Sequence, residues 1–550
     1  MSVAVELSDL TVSFGSRELF RGLDAVIGPD ETVGLVGPNG CGKTTLLRTM
    51  AALHAPDSGT VTWSPRAARI GYLPQEASGR GTVGEHLGVL TGVRDADGRM
   101  QRSAAALAQG IPGAEAAYSG ALEDWLALGG PDLDSRVEAT VGRVVPGVAP
   151  EHPMRELSGG QSARIGLAGL LLSRFDAYLL DEPTNDLDLD GLQLLEHFMS
   201  GLRGPVVLVS HDREFLSHRV TRVLDFDPAL QAVGDYRGGF DAYVAERARA
   251  RARAQADFDD VSTTRRDLLG QARAARATSD RGAKVARAKH RAGSVDKMQR
   301  DAMIDGATAG TSAAGRIQRQ ISRLPDVAAP RREWQLRFRV AEVERSGDVV
   351  FTLRTARAER GAFHMGPIDL QIDRGDRVVI IGANGSGKST LLGMLLGDVP
   401  LSSGHRNLGA RVVVGQVDQS RLPADRTVTL WEMVTAQLPG TPEVEVRALL
   451  AKFGLGADRL AVAAPLLSPG ERTRAGLAVI GARGANVLVM DEPTNHLDLP
   501  AIEQVEAALD QFDGTVLLVS HDRRLIDHEL RAARRARRLI VRSGQVSEPG

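Results

Sequence analysis

"GPNGCGKTT" spans Gly37–Thr45, and "GANGSGKST" spans Gly382–Thr390. Each follows a short apolar, β-branched run that ends in glycine, "ETVGLVG" and "DRVVIIG". Each runs into a segment with helical character, "KTTLLRTMAAL" and "KSTLLGMLLG". Strand, loop and helix in that order is the setting in which GxxxxGK[ST] wraps a diphosphate. The glycines let backbone N–H groups converge on the phosphates, and the helix presents its positive end to them. Gly37, Asn39, Gly40, Gly42, Lys43, Thr44 and Thr45 form the first candidate cradle. Gly382, Asn384, Gly385, Gly387, Lys388, Ser389 and Thr390 form the second. Lys43 and Lys388 are expected to reach the β and γ phosphates, and Thr44 and Ser389 to ligate Mg²⁺ through their hydroxyls.

The duplication continues along the chain. "LSGGQ" at Leu157–Gln161 returns as "LSPGE" at Leu467–Glu471, "LLDEPTNDLD" at Leu179–Asp188 as "VMDEPTNHLD" at Val489–Asp498, and "VVLVSHDR" at Val206–Arg213 as "VLLVSHDR" at Val516–Arg523. The spacings agree as well as the motifs. Ser158 precedes Asp181 by the same interval as Ser468 precedes Asp491, and Asp181 precedes His211 by the same interval as Asp491 precedes His521. One interval breaks the match: the stretch from Gln75 to Ser158 is much longer than that from Gln419 to Ser468. The first copy therefore carries an insertion within 76–157, and its Ala/Leu-rich runs predict a pair of helices. The short, wholly apolar strands "YLLDE", "VLVMDE" and "PVVLVS" imply parallel sheets covered on both faces. Asp181 and Asp491 end such strands, where a carboxylate can hold a metal shell. Glu182 and Glu492 follow, placed to polarise an attacking water.

The chain has 550 residues, 43% hydrophobic and 25% charged, ordinary values for a globular protein. No apolar run approaches the length needed to span a bilayer. The start, "MSVAVELSDL", lacks the pattern of a signal peptide. The single cysteine, Cys41, excludes an intrachain disulfide and fits a reducing cytoplasm. Its place in the phosphate loop asks only for a small side chain. The net charge of −2 hides an asymmetry: Arg247–Arg323 holds 18 Lys/Arg and 8 Asp/Glu. A basic middle between acidic flanks is how a localised polyanion contact looks in sequence.

These motifs resemble the ATP-binding-cassette ATPases, over nearly all of 1–240 and 335–550. The resemblance implies that the signature serine and glycines of one cassette close over ATP held by the other. Ser468 and Gly470 would cap the ATP on Lys43; Ser158, Gly159 and Gly160 would cap the ATP on Lys388. It also implies that Gln75 and Gln419 sense Mg²⁺ and water, and that His211 and His521 contact the γ-phosphate. Phe14 stands where the family places an aromatic against adenine; the corresponding place near Glu359 has none. Pro469 and Glu471 depart from LSGGQ, and proline removes an N–H donor from a loop that should donate to phosphate. The site on Lys43 is therefore expected to close differently from its mate.

Residues 240–325 are rich in Ala and Arg, with no proline before Pro325. This predicts a helical hairpin with arms of roughly 40 residues, each about 60 Å long, and a turn at or near "RGAKVARAKHRAG" (281–293), flanked by Gly282 and Gly293. The whole reads as an α/β chain. Two P-loop ATPase domains, each a parallel-rich sheet with a helical subdomain, occupy 1–239 and 334–550, and a basic helical linker, 240–333, joins them. This combination is similar to the ABC-F family. That resemblance implies a cytoplasmic, monomeric ATPase using ATP and Mg²⁺. Its linker would lie against P-site tRNA and ribosomal RNA near the peptidyl-transferase centre, with Lys284, Arg287, Lys289, Arg291 and Lys297 as the candidate RNA contacts. Ribosome protection against antibiotics is the implied role, with a general translation factor as the alternative. The motor of a membrane transporter and a DNA-associated ATPase are the readings outside translation. The first leaves the basic linker unexplained. The second often carries a C-terminal coiled coil, whereas this sequence reaches Gly550 shortly after His521.

Overall fold

The computed structural model describes residues 2–15, 17–75, 80–291, 298, 316–325, 346–361, 363–417, 428–495, 497–532 and 535–549. By contact the chain divides into Met1–Asp241 with Trp334–Gly550, and Ala242–Glu333.

Within the first unit, two copies of one architecture stand side by side. The first copy has a six-stranded sheet whose order is Ile70–Leu73, Ala177–Asp181, Val206–Val209, Thr32–Val36, Arg222–Asp227 and Ala232–Arg237. All its neighbours pair in parallel except the last two. A three-stranded antiparallel sheet, ordered Arg17–Ile27, Ala4–Phe14 and Ser58–Ser64, packs beside it. The second copy repeats both orders, with Val487–Asp491, Thr515–Val519 and Arg377–Ile381 at the centre of its large sheet. "AYLLD" (177–181) and "TVLLV" (515–519) are buried at every residue, as expected for parallel strands with helices on both faces. The strands Ala177–Asp181 and Val487–Asp491 end on Asp181 and Asp491, which accept from Thr44 and Ser389 just after the phosphate loops.

The copies differ between the outer strand and the signature helix. Both open on a helix capped by a Thr–Glu box, Val83–Leu90 behind Thr82 and Leu430–Gln437 behind Thr429. The first copy then adds Val93–Ala108 and Ala114–Ala127, which pack on each other, and Leu133–Val144. Among the described residues, the second has Glu443–Lys452 and the short Ala457–Leu460 in their place.

The second unit is dominated by one helix, Gly239–Arg291, of 53 residues, about 80 Å at 1.5 Å per residue. Gly282 lies inside this helix, so a turn at or near 281–293 does not begin there, and residues 292–297 lie outside the described residues. The helix runs through Gly282, because Ala and Arg are strong helix formers and one interior glycine costs only about 1 kcal/mol. The arm length expected from sequence is therefore too short. Residues 316–321 are helical again; Gly293 lies outside the described residues.

Candidate functional sites

In the first copy, the loop from Gly37 to Gly42 joins the strand Thr32–Val36 to the helix Lys43–Met50. Gly40 and Gly42 have φ of 75° and 112°, a region that favours glycine. A Cβ at Gly42 would also come within 3.1 Å of Leu19. Lys43 is buried and donates from Nζ to the carbonyls of Gly37 at 2.6 Å and Pro38 at 3.2 Å. The ammonium is thus folded into the loop that it would serve. Thr44 donates from Oγ1 to Asp181 Oδ1 at 3.1 Å, and the Tyr72 hydroxyl donates to Oδ2 at 3.3 Å. Burial, with the Glu182 charge beside it, pushes the Asp181 carboxyl up to about 6. Glu182 has φ of 53°, and its Oε1 lies 3.0 Å from His211 Nε2.

The second copy builds the same set. Gly385 and Gly387 have φ of 77° and 111°. Lys388 Nζ donates to Gly382 O at 2.9 Å and Ala383 O at 3.3 Å, and lies 3.0 Å from His521 Nε2. Ser389 Oγ donates to Asp491 Oδ2 at 2.9 Å. Glu492, with φ of 49°, sits 3.1 Å from His521 Nε2 through Oε1 and accepts the His521 amide through Oε2 at 3.2 Å. Burial raises Glu492 to about 7 against the opposing pull of Lys388. Burial and then the Lys388 charge lower His521 to about 4, and burial lowers Lys388. In both copies the hydroxyl–carboxylate pair offers hard oxygen donors, the set that suits Mg²⁺.

Neither site is made by one copy alone. A cleft of 660 Å³ over the first phosphate loop is lined by Phe14, Lys43, Thr44, Thr45, Gln75, Glu182 and His211, and also by Pro469 and Arg472 from the second copy. Phe14 is 69% exposed there. The Asn39 amide donates to Asp498 Oδ2 at 3.0 Å. Reciprocally, the Asn384 amide donates to Asp188 Oδ2 at 2.9 Å, and Asn384 Nδ2 donates to Asp186 O at 2.7 Å. A Cβ at Gly160 would stand 2.5 Å from Asn384 Nδ2, so only glycine lets that loop approach. Gly159 lines a separate cleft with Gln75, Asp181 and Glu182.

Ser158 and Ser468 cap their helices. Ser158 Oγ accepts from Gln161 N at 3.3 Å, and Ser468 Oγ from Glu471 N at 3.2 Å. Glu471 closes the box in return, accepting Ser468 N at 2.8 Å and pairing with Arg459 at 3.1 Å. Gly470 follows Pro469, which occupies the first helical position, where the missing N–H leaves the helix itself intact. Glu359 is register partner to His364, with which it pairs at 3.8 Å; one pair further along the hairpin, Phe363 lines the cleft over the second phosphate loop, so that site does have an aromatic although the place near Glu359 has none. Thr390 lies in the first turn of the helix Lys388–Leu396. Gln419 lies outside the described residues, as does Lys297. Lys284 is exposed on the long helix; Arg287, Lys289 and Arg291 are helical, and their side chains lie outside the description.

Residues to which the motifs alone assigned no role complete the junction. The Arg213 guanidinium binds both oxygens of Glu506, one at 3.0 Å. Arg523 binds Glu196 at 3.0 Å. Asp188, almost fully buried, holds Arg164 and the Gly191 amide besides Asn384. Burial works against its ionisation, yet these donors keep its carboxyl below the ordinary range. The signal was available: Glu196, Arg213 and Asp188 recur at one constant offset as Glu506, Arg523 and Asp498.

The ABC transporter family matches residues 20–185 and 365–495. The tylosin resistance ATP-binding protein TlrC of Streptomyces fradiae is 32% identical, over 95% of either chain. The energy-dependent translational throttle protein EttA of Mycobacterium tuberculosis is 30% identical, over 95% of this chain and 87% of its own. Among solved structures, the archaeal ribosome recycling factor aABCE1, in complex with the stalk protein aP1, shares the fold with a TM-score of 0.56 and 18% identity. That match covers 98% of this chain and 88% of the other.

Proposed function

Because the chain belongs to the ABC-F family of tandem ATP-binding-cassette ATPases, we propose that it is a ribosome-bound ATPase whose two cassettes, 1–239 and 334–550, clamp two ATP molecules and thereby orient the basic linker, 240–333, toward ribosomal RNA and P-site tRNA. The observation that carries this reading is the reciprocal seating of each phosphate loop against the other cassette, Asn39 on Asp498 and Asn384 on Asp188.

In this reading Lys43 and Lys388 swing from loop carbonyls to the phosphates, and the loop amides and helix N-termini hold the rest of the negative charge. Thr44 with Asp181 and Gln75, and Ser389 with Asp491 and Gln419, hold Mg²⁺, which supplies neutralisation of phosphate charge. Glu182 and Glu492 accept a proton from the attacking water. His211 and His521, each within 3.1 Å of its glutamate, orient that water and the γ-phosphate. Ser158, Gly159 and Gly160 cap one nucleotide; Ser468 and Gly470 cap the other. Phe14 stacks on adenine at the first site.

The partner follows from charge. Lys284, Arg287, Lys289, Arg291 and Lys297 face RNA phosphate, and that contact weakens steeply with salt. Among the described residues no helix is long and apolar enough to cross a membrane. Ribosome protection against antibiotics is favoured by the likeness to a protein named for tylosin resistance; the likeness to a translational throttle supports a general translation factor. Glu182→Gln with Glu492→Gln should hold the protein on 70S ribosomes in ATP. Free dissociation of that double mutant would end the proposal. Cell-free translation with and without a panel of peptidyl-transferase inhibitors separates protection from general regulation.

A further inference from the structure

Three features converge where the long helix leaves the first cassette. Its opening residues, Phe240 and Asp241, belong by contact to the cassette unit. Asp241 Oδ1 accepts from Ser217 Oγ at 2.7 Å and from Arg524 Nη2 at 3.1 Å. The same Arg524 nitrogen also donates to Ser217 Oγ, and its guanidinium lies 5.9 Å from the ring centre of the buried Phe240.

Arg524 follows closely on His521, whose ring touches Lys388 of the second phosphate loop. Asp522 stiffens the intervening turn, accepting the Leu525 amide at 3.0 Å. Any movement of His521 as Lys388 turns toward a phosphate is therefore delivered to Arg524 through one capped helix turn. Ser217 brings the other copy to the same point: its helix, Arg213–Arg219, is capped by Asp212, next to His211. The repeat shows that this is not part of the symmetric clamp. The position equivalent to Arg524 in the first copy is Glu214, which turns its charge toward Arg523 at 3.5 Å. Only the copy that reaches the root of the linker helix carries a cation there.

We infer that Arg524 is a positioning residue that ties the nucleotide switch of the second cassette to the first turn of the linker helix, so that occupancy of the Lys388 site is transmitted to residues 239–241. Side chains 35% and 70% exposed make a weak ion pair, so the role is geometric rather than stabilising. The inference rests on the ATPase reading above.

The test is hydrogen exchange of the full chain, Glu182→Gln with Glu492→Gln, followed at the peptide covering 239–250 with and without ATP, beside a fluorescent-nucleotide titration. ATP should slow exchange there roughly three- to tenfold. Arg524→Ala should abolish that difference while nucleotide binding is retained, and Arg524→Glu with Asp241→Arg should restore it; a merely structural pair would change exchange equally with and without ATP. Full ATP-dependent protection in Arg524→Ala, or no protection in the parent despite bound nucleotide, overturns the inference. Failure of the parent to bind nucleotide at all would sink the ATPase reading itself, and this inference with it.

Discussion

The two cassettes share a strand order and a motif set, yet their nucleotide clefts are not interchangeable. The first places an exposed Phe14 at the rim and receives Pro469 and Arg472 from its neighbour. The second has Phe363 on its wall, next to the Glu359–His364 pair, and receives Asp188 from its neighbour, with Gly160 close against Asn384. The carboxylates that bridge the copies are built alike. Asp188 holds Arg164 and the amides of Gly191 and Asn384, and Asp498 accepts the amides of Ala501 and Asn39 beside Arg474. The lesson is that duplication preserves the reaction's parts list while the trans contacts diverge, because each cleft is finished by residues that evolve on the opposite copy.

The largest effect should come from the glutamates. Replacing both Glu182 and Glu492 by Gln should lower phosphate release by about 10²–10⁴-fold with nucleotide binding kept, the usual contribution of a general base. The single replacements sharpen the comparison, since unequal losses are expected from clefts capped differently; equal losses would make the copies equivalent. Next is Asp188→Ala, which strands Arg164 and should cost about 2 kcal/mol in a denaturant titration, because a hydrogen bond to a charged group typically contributes about 1.5–3 kcal/mol. Phe14→Ala should weaken ATP at the first site about fivefold, near the low end for aromatic–base stacking, and Phe363→Ala should weaken the second by a similar factor; competition binding with each site blocked in turn reads both. Smallest is Pro469→Gly. It restores one N–H donor facing the first site and should raise affinity there by about twofold, since a hydrogen bond made in place of water contributes on the order of 1 kcal/mol or less net. No change would mean that the proline carbonyl side, not the missing amide, faces the nucleotide.

Much of this is legible from residue order. Gly37–Thr45 and Gly382–Thr390 announce phosphate loops because local steric demands, positive φ and a helix start, are written in residue type. The apolar strands ending in Asp181 and Asp491 announce parallel sheets because burial on both faces leaves no alternation. The turn expected at or near 281–293 does not begin at Gly282, because a single glycine is a weak breaker amid alanine and arginine, and its cost is outweighed by the neighbouring helix formers.

The sequence by itself therefore determined the duplicated α/β cassettes, the helices between the outer strand and the signature helix of the first copy, and the long helical segment, all consequences of local pattern and spacing. Tertiary structure alone decided which residues meet across the copies: Asn39 with Asp498, Asn384 with Asp188, Arg213 with Glu506, and Arg524 with the root of the long helix. Those partners lie hundreds of positions apart in the chain. Contacts at such separations depend on how two finished surfaces fit, and no short-range pattern of residues encodes that fit.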